Sequence, residues 1–174
     1  MRPTQTEDSI KWALKSAIAF LILASAPLVE AQTIQTLCSF NYTNGALPFG
    51  ALTMGNDGNF YGTTAFGGSS DYPSLGYGTI FQVTTNGTLT APVSFNFNSG
   101  ANPHTGLTLG NDGNFYGTTE NGGSAGHGTV FKVMTNGTLT ALVAFNSNNG
   151  AYPEAALTLG NDGNFYGTTP QLLT

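Results

Sequence analysis

An internal repeat constrains the fold of this chain more than any other feature of its sequence. A 25-residue unit occurs three times, at 40–64, 95–119 and 145–169, and each copy ends in the same decapeptide, GNDGNFYGTT. A second unit separates the copies and matches between 76–94 and 126–144. The resulting periods of 55 and 50 residues are typical of propellers and solenoids, in which each repeat is one supersecondary module that stacks on its neighbours.

Each period predicts four short strands, because turn residues separate short runs of strand-forming residues. Asp-Gly and Asn-Gly dipeptides in these turns favour hairpins. In the second copy the predicted strands are 106–109, 114–119, 128–133 and 138–145. Before the first full period, residues 34–40 match the fourth strand of a copy. After the second, residues 156–159 and 164–169 match the first two strands.

The fourth strand of each period is predicted to form the outer edge of its sheet. Pro92 lies in this strand, and a proline removes a ladder hydrogen bond that only an edge strand can spare. The alternation of residues in the second copy predicts one shared apolar face, formed by Leu139, Ala141, Val143 and Phe145. Cys38, the only cysteine, matches Val93 and Val143, so it is predicted to be a small buried residue rather than a reactive thiol.

The predicted fold class is all-β, a partial and open β-propeller-like array of four-stranded antiparallel blades with about 2.5 repeats. The predicted strands make fewer than three blades, whereas propellers usually close with four or more. Burial of one Leu, Val or Phe contributes about 1.5–3 kcal/mol, so open blade faces cost stability. We interpret the chain as a fragment of a longer array, and self-association through the open blade faces stays as an alternative.

The first 31 residues predict a secretory signal peptide. Arg2, Lys11 and Lys15 precede an apolar stretch at 17–26, and small residues precede a cleavage site after Ala31. The apolar stretch is about half as long as a membrane-spanning helix requires, and the sequence shows no second one. We therefore predict a signal peptide at 1–31 and a repeat domain at 32–174, with repeats 40–94, 95–144 and a partial repeat 145–174. The mature chain is expected to be secreted, or extracellular at the cell surface, without a transmembrane segment.

Charge and composition exclude several classes of function. Only 7% of the residues are charged, and Lys132 is the only Lys or Arg after residue 31. Nucleic-acid binding requires a basic surface, so we exclude nucleic acid as a partner. The spacing of Cys and His residues matches no metal site, and we expect no metal and no cofactor.

The repeated units resemble the GloVer tandem-repeat family of bacterial exported proteins. The residues that carry the resemblance are the motifs GNDGNFYGTT, GTVFKVxTNGTLT and FNxxNGAxP, which span residues 34 to about 169. The resemblance implies a β-propeller-like repeat domain behind a signal peptide, and it brings no catalytic residues. Many members also carry a C-terminal sorting or anchoring segment, and its absence here favours the interpretation as a fragment.

Candidate ligand-binding residues are those that differ between copies, because residues identical in every copy are expected to be structural. The varying positions are Phe49/His104/Glu154, Ala65/Glu120/Pro170 and Tyr77/His127, with Asp71 and Tyr72 in the longer loop of the first copy. From these the predicted binding residues are Tyr77, His104, Glu120, His127 and Glu154.

Two sets of invariant residues invite a chemical role but favour a structural one. Asp57, Asp112 and Asp162 could bind calcium, yet each loop offers one carboxylate, and an Asp that shapes its own turn is the better explanation. The Phe-Tyr pairs at 60–61, 115–116 and 165–166 could stack on sugars, but packing between blades explains why they never vary.

The leading functional hypothesis is a non-catalytic exported scaffold that binds extracellular glycans or other cell-envelope components. A second hypothesis is a hydrolase or lyase acting on extracellular polysaccharide, with Glu120 and Glu154 or His104 as the acid–base groups. A third is a purely structural array whose function is self-association.

Overall fold

The computed structural model describes residues 36–68 and 75–170. The predicted signal peptide at 1–31 lies outside the described residues, as do Asp71 and Tyr72. In the part of the chain that is described, no helix is long and apolar enough to cross a membrane. The strands of the described residues are β1 (Thr53–Met54), β2 (Phe60–Thr64), β3 (Thr79–Val83), β4 (Leu89–Ser94), β5 (Thr108–Leu109), β6 (Phe115–Thr119), β7 (Thr129–Val133), β8 (Leu139–Ala144), β9 (Thr158–Leu159) and β10 (Phe165–Tyr166).

The strands form two four-stranded antiparallel sheets and one hairpin. The sheets have the orders β1-β2-β3-β4 and β5-β6-β7-β8, so neighbours in sequence are neighbours in space, and β9 pairs with β10 alone. Each sheet is one blade, and the hairpin corresponds to the first two strands of a third. The predicted all-β, propeller-like fold with open sheets is confirmed. The fourth strand lies at the edge of each sheet, as Pro92 predicts.

The invariant decapeptide builds the first hairpin of each blade. In the second blade the amide of Asn114 donates to Oδ1 of Asp112 at 3.1 Å, and the amide of Gly113 donates to the carbonyl of Gly110 at 3.0 Å. Gly113 has a φ of 75°, a left-handed conformation that glycine adopts without strain. The equivalent Asp57 and Asp162 make the same bond to the residue two positions on. The prediction that each Asp shapes its own turn is therefore confirmed.

The predicted single apolar face of the fourth strand is wrong, because a β-bulge interrupts the strand. Val143 pairs with Val130, but Ala141 already pairs with Phe131, so Leu142 is left without a partner in the ladder. One extra residue reverses the faces beyond it. Ala141 therefore shares a face with Phe131, whereas Val143 lies on the opposite face of the sheet.

The predicted strand at 34–40 is also wrong over its described part, since residues 36–40 are not a strand. Phe40 nevertheless packs edge-on against Phe81, with ring centroids 4.9 Å apart and planes at 69°. Between the two blades, Phe95 and Phe131 repeat this contact at 5.0 Å and 72°. Residues 36–40 thus lie where the fourth strand of a preceding blade would lie, but no third strand among residues 36–68 and 75–170 pairs with them. Cys38 is only partly buried.

The core lies between blades rather than inside one. Its buried members come from both sheets, and they are Tyr61, Ile80, Val93, Phe95, Leu107, Phe115, Phe131 and Val133. Tyr61 stacks against Phe115 of the next blade with centroids 4.3 Å apart. Tyr116 stacks on Phe165 of the hairpin at 4.1 Å. The predicted role of the Phe-Tyr pairs in packing between blades is confirmed.

Threonine hydroxyls link the blades close to the inner strands. The hydroxyl of Thr63 donates to the carbonyl of Thr105 at 2.7 Å. Thr118 repeats this bond to the carbonyl of Ala155 at 3.2 Å. These hydroxyls are buried, so the bonds satisfy polar groups that would otherwise destabilise the junction. The same framework therefore holds each pair of neighbouring units together.

Candidate functional site

The blades present two different edges. At one edge, tight turns join the first strand to the second and the third to the fourth. We call it the short-turn edge, formed by residues 55–59, 84–88, 110–114, 134–138 and 160–164. At the other edge, longer loops join the second strand to the third and each blade to the next. We call it the long-loop edge, formed by residues 40–52, 65–68, 75–78, 95–107, 120–128 and 145–157.

All five candidate residues predicted from the sequence lie on the long-loop edge. Antiparallel strands carry the chain back and forth between the two edges, so loops of one kind gather on one side of the array. The candidate residues are Tyr77, His104, Glu120, His127 and Glu154. The structure therefore brings the variable positions to one surface, but it divides them into separate contacts.

His104 and Glu120 form the first of these contacts. Nε2 of His104 lies 3.0 Å from Oε2 of Glu120, and both side chains are about one-third exposed. The ring of Phe49 stacks parallel on the imidazole, with centroids 5.3 Å apart and planes at 7°. An imidazole hydrogen-bonded to a carboxylate can exchange a proton with a bound molecule. Phe49 and His104 hold the same position in successive repeats, so this position forms a stack between blades.

Tyr77 belongs to a second contact, at the junction of the two blades. Its ring lies 5.9 Å from that of Phe97, and its carbonyl accepts a hydrogen bond of 3.0 Å from the amide of Asn102. Asn102 in turn donates from Nδ2 to the carbonyl of Ala65 at 3.1 Å. Beside these residues opens a cleft of about 410 Å³, whose lining includes Phe66, Leu75, Tyr77, Phe97, Asn102 and Asn121.

His127 repeats the Tyr77 contact one blade later with different chemistry. Its Nε2 lies 3.2 Å from Oγ of Ser147, and its ring packs edge-on against Tyr152 at 5.1 Å. Its carbonyl accepts from the amide of Tyr152 at 2.8 Å, as Tyr77 does from Asn102. Nδ1 of His127 is buried without a hydrogen-bond partner among the described residues. The contact at Tyr77 is thus mainly aromatic, whereas the contact at His127 is more polar.

Glu154 stands apart from the other candidates. It is exposed. Within residues 36–68 and 75–170, the ion pairs join His104 to Glu120 and Lys132 to Asp112, and neither includes Glu154. No ion pair of these residues therefore supports the predicted convergence of Glu120 and Glu154.

Two further variable positions on this edge escaped the sequence analysis. Leu47, Asn102 and Tyr152 occupy one repeat position, and all three have a left-handed backbone, with φ of 57°, 56° and 50°. Tyr42, Phe97 and Ser147 occupy the other, which supplies the partners of Tyr77 and His127. The sequence could have identified both positions, because the residue at each one differs in every repeat copy. A left-handed backbone is strained at a residue other than glycine, and such strained residues are common at functional sites.

The short-turn edge holds an equally clear cluster, but its residues hardly vary. Oδ2 of Asp57 accepts from the Tyr61 hydroxyl at 2.8 Å, and Gln82 donates to the same hydroxyl at 2.8 Å. Burial, and then the bond to Asp57, raises the pKa of Tyr61 to about 12. In the next blade Lys132 replaces Gln82 and lies 2.7 Å from Oδ2 of Asp112. Within the described residues, no three His, Cys, Asp or Glu side chains gather as a metal site.

The repeat of this chain matches a known sequence family. The sequence profile of the Gloeobacter/Verrucomicrobia repeat matches residues 27–172 of the chain. The chain belongs to this family. The resemblance to GloVer repeats is thereby confirmed, and the two blades and the hairpin are the GloVer units in three dimensions. A search of curated proteins finds no match to this GloVer chain.

Among solved structures, one similar chain is an X-ray structure of a protein provisionally described as a gluconolactonase. It is 19% identical to the GloVer chain, with a TM-score of 0.39. The alignment covers 69% of the GloVer chain and 47% of that protein, so the chain spans about half of the protein it matches.

Proposed function

We propose that this GloVer chain is an exported, non-catalytic scaffold that binds neutral glycans at its long-loop edge. The observation that carries the proposal is the cleft beside Tyr77, which is lined by three aromatic side chains, Phe66, Tyr77 and Phe97, and by two side-chain amides. Export rests on the signal peptide predicted from the sequence at 1–31. Glycans of the cell envelope or surroundings are the class of ligand that such a surface would meet outside the cell.

The chemistry of the cleft suits a sugar. The apolar face of a pyranose ring stacks on aromatic side chains, and Tyr77 and Phe97 both line the cleft, with their ring planes at 59° to each other. Sugar hydroxyls need partners that both donate and accept, and each carboxamide has two N–H donors and an oxygen acceptor. Asn102 uses one N–H on the carbonyl of Ala65 and Asn121 uses one on Oδ1 of Asn102, which leaves each a second N–H and further acceptor capacity. The volume of about 410 Å³ lies within the usual range for small-ligand sites.

The charges of this edge favour a neutral ligand over an anionic one. Among the described residues of the long-loop edge, the side chains of fixed charge are Glu120 and Glu154, and neither Lys nor Arg is present. An acidic polysaccharide would meet repulsion here without a cation to pair with. Neutral oligosaccharides are therefore the expected ligands.

Binding of neutral oligosaccharides to the purified chain, measured by calorimetry or on a glycan array, tests this proposal. Tyr77→Ala and Phe97→Ala are each expected to weaken binding about tenfold, because each removes a stacking ring. Gln82→Ala on the short-turn edge is the matched control and is expected to leave affinity unchanged. A folded chain that binds no glycan, or binding that both ring variants leave intact, would refute the proposal.

A second candidate function is acid–base catalysis on extracellular polysaccharide. The observation that favours it is the His104–Glu120 contact at 3.0 Å on an accessible edge. Loss of polysaccharide cleavage in the double variant Glu120→Gln, Glu154→Gln would support this candidate. Unchanged cleavage in that variant, or no cleavage by the parent chain, would remove it.

A further inference from the structure

The hairpin and the last blade expose residues that are buried at the internal junction. Tyr61 is 7% exposed beneath the second blade, whereas Tyr166 at the same repeat position is 56% exposed. Val93 is 6% exposed, but its counterpart Val143 is 40% exposed. The sequence around each pair is nearly the same, so the difference comes from the strands that cover the first member and that the described residues do not place over the second. Val143 lies on the side of the second blade that faces the hairpin, and in the described residues the hairpin has no third or fourth strand to cover it. Tyr166 lies on the far side of the hairpin, which we call the trailing face.

The first blade shows the reverse pattern on its opposite side. Leu107 is 5% exposed against the first blade, and its counterpart Leu52 is 52% exposed. Phe115 is fully buried, whereas its counterpart Phe60 is only partly buried. We call the side that carries Leu52 and Phe60 the leading face. The trailing face at Tyr166 and the leading face at Leu52 and Phe60 thus correspond to the inner parts of the two sides of the internal junction.

The two ends of the chain also supply complementary parts of one blade. The hairpin β9–β10 corresponds to the first and second strands, which lie on the inner side of a blade. Residues 36–40 lie at the place of the fourth strand, on the outer side, as the Phe40–Phe81 contact shows. Accordingly, the leading face is covered on its outer side and bare at Leu52 on its inner side. A hairpin from elsewhere would cover the bare part.

We propose that the trailing face binds the leading face of a second molecule of this chain. Tyr166 would then stack on Phe60 of the second molecule, as Tyr61 stacks on Phe115 and Tyr116 on Phe165 within one chain. The inter-blade contact already occurs at both internal junctions. A third occurrence between molecules continues an established interface.

The inner strands provide a directional bond for the same interface. The hydroxyl of Thr53 donates to the carbonyl of Leu107, and that of Thr108 donates to the carbonyl of Leu157. Thr158 holds this position in the hairpin, and the carbonyl of Leu52 is the equivalent acceptor. The hydrogen bond from Thr158 to Leu52 of the second molecule fixes the register that the aromatic stack alone leaves open.

This mode of association predicts a closed dimer. A face that binds a different face makes a head-to-tail contact, which forms a ring when the rotation closes. Two molecules contribute two four-stranded blades each. Each junction between them adds a partial blade, in which the hairpin of one molecule and residues 36–40 of the other hold the places of the first, second and fourth strands. The result is a ring of about six blades, within the four to eight usual for propellers. Both trailing and both leading faces are covered in this dimer.

Sedimentation or light scattering of the purified chain tests the interface, and a dimer is the expected result. Leu52→Lys blocks the leading face and Tyr166→Lys blocks the trailing face, so each is expected to weaken dimerisation about tenfold or more. Both residues are exposed, so the variants should keep the parent circular dichroism spectrum. Leu142→Lys is the matched control, because its counterpart Pro92 stays exposed even beside a neighbouring blade. That variant should remain a dimer.

A mixture of the two blocked variants gives a further test. Leu52→Lys keeps its trailing face and Tyr166→Lys keeps its leading face, so the mixture should recover one-to-one dimers that neither variant forms alone. A parent chain that stays monomeric throughout the concentration series would overturn the proposal. Dimers that persist in both lysine variants would also overturn it, since they would use another surface.

Discussion

At the scale of single residues, one carboxylate in each invariant turn serves several donors. Asp112 accepts from the amide and side chain of Asn114, from the Tyr116 hydroxyl and from Lys132. The Lys132 ammonium, and then Asn114, holds the pKa of Asp112 well below its usual range. Hydrogen bonds from Asn59 and Tyr61 lower the pKa of Asp57 in the same way. Each turn is therefore stabilised by the ionised form of its Asp.

Asp112→Asn is expected to lower the free energy of unfolding at pH 7 by less than about 1 kcal/mol, since exposed ion pairs contribute about 0.2–1 kcal/mol. The lowered pKa means that the carboxylate stabilises the fold above its unfolded pKa of about 3.8 and loses this effect as the pH falls below it. The difference between the variant and the parent should therefore shrink below pH 4. Urea unfolding at pH 7 and at pH 2 to 3 measures it.

Asp57→Asn is the control for that prediction. Its turn has the same sequence, but the neutral Gln82 replaces Lys132, and Gln82 donates to Asp57 at 3.2 Å. The loss at pH 7 should be smaller than in Asp112→Asn, because no ion pair is removed. An equal loss in both variants would show that the Lys132 contact adds nothing.

At the scale of strands, the β-bulge decides which residues face the core. Leu142 has no ladder partner, and it lies on the edge strand β8 with one side open. Pro92 holds the same position in β4, where the register also shifts. The bulge and the edge together explain how one copy tolerates a proline in the strand.

Leu142→Pro is therefore expected to change the free energy of unfolding by less than about 0.5 kcal/mol, the usual limit for a neutral surface substitution. Val130→Pro in the central strand β7 is the contrasting variant. It removes a donor between two paired strands and leaves a ladder carbonyl without its partner, which is expected to cost about 1–3 kcal/mol. Thermal or urea unfolding of both variants measures the contrast. A large loss in Leu142→Pro would show that the proline in β4 depends on other differences between the blades.

The sequence predicted the strands of the complete blades well, because each lies between turns with a known geometry. The shared face of Leu139 and Val143 could not be predicted, since alternation assumes one residue per ladder step and the bulge breaks that rule. The strand predicted over residues 36–40 is absent for another reason. A β-strand forms only beside a partner strand, and a sequence that matches a strand does not supply that partner. At the site, comparison of repeats found Tyr77 and His127 but overlooked Phe97 and Ser147, which vary in the same way.

At the scale of the whole molecule, three copies of one decapeptide occupy three different surroundings. In the two complete blades its second strand spans five residues, 60–64 and 115–119, and pairs on both sides. In the hairpin the same sequence forms only the two-residue strand β10, which pairs on one side. Stability is therefore distributed unevenly among identical segments, as in other repeat proteins.

Hydrogen exchange is expected to follow this distribution. Amides of 167–169 should exchange faster than those of 117–119, because only the latter have a third strand beside them. Identical sequences have the same intrinsic exchange rates, so the ratio of rates reports structure alone. Peptides that extend into the differing flanks identify each copy by mass spectrometry. Equal protection in both segments would show that the hairpin has an additional neighbour.

The paired differences on the long-loop edge bear on how such a chain assembles. A strand of one blade matches its counterpart in the other almost residue for residue. Contacts between strands alone therefore cannot distinguish the native packing of the blades from a packing in which one blade takes the place of the other. The loops can, because Tyr77 meets Phe97 whereas His127 meets Ser147. A displaced chain would place an aromatic ring against a serine and leave an imidazole without its hydroxyl. The side chains that differ between the two junctions are therefore also expected to favour the native pairing of these loops during folding.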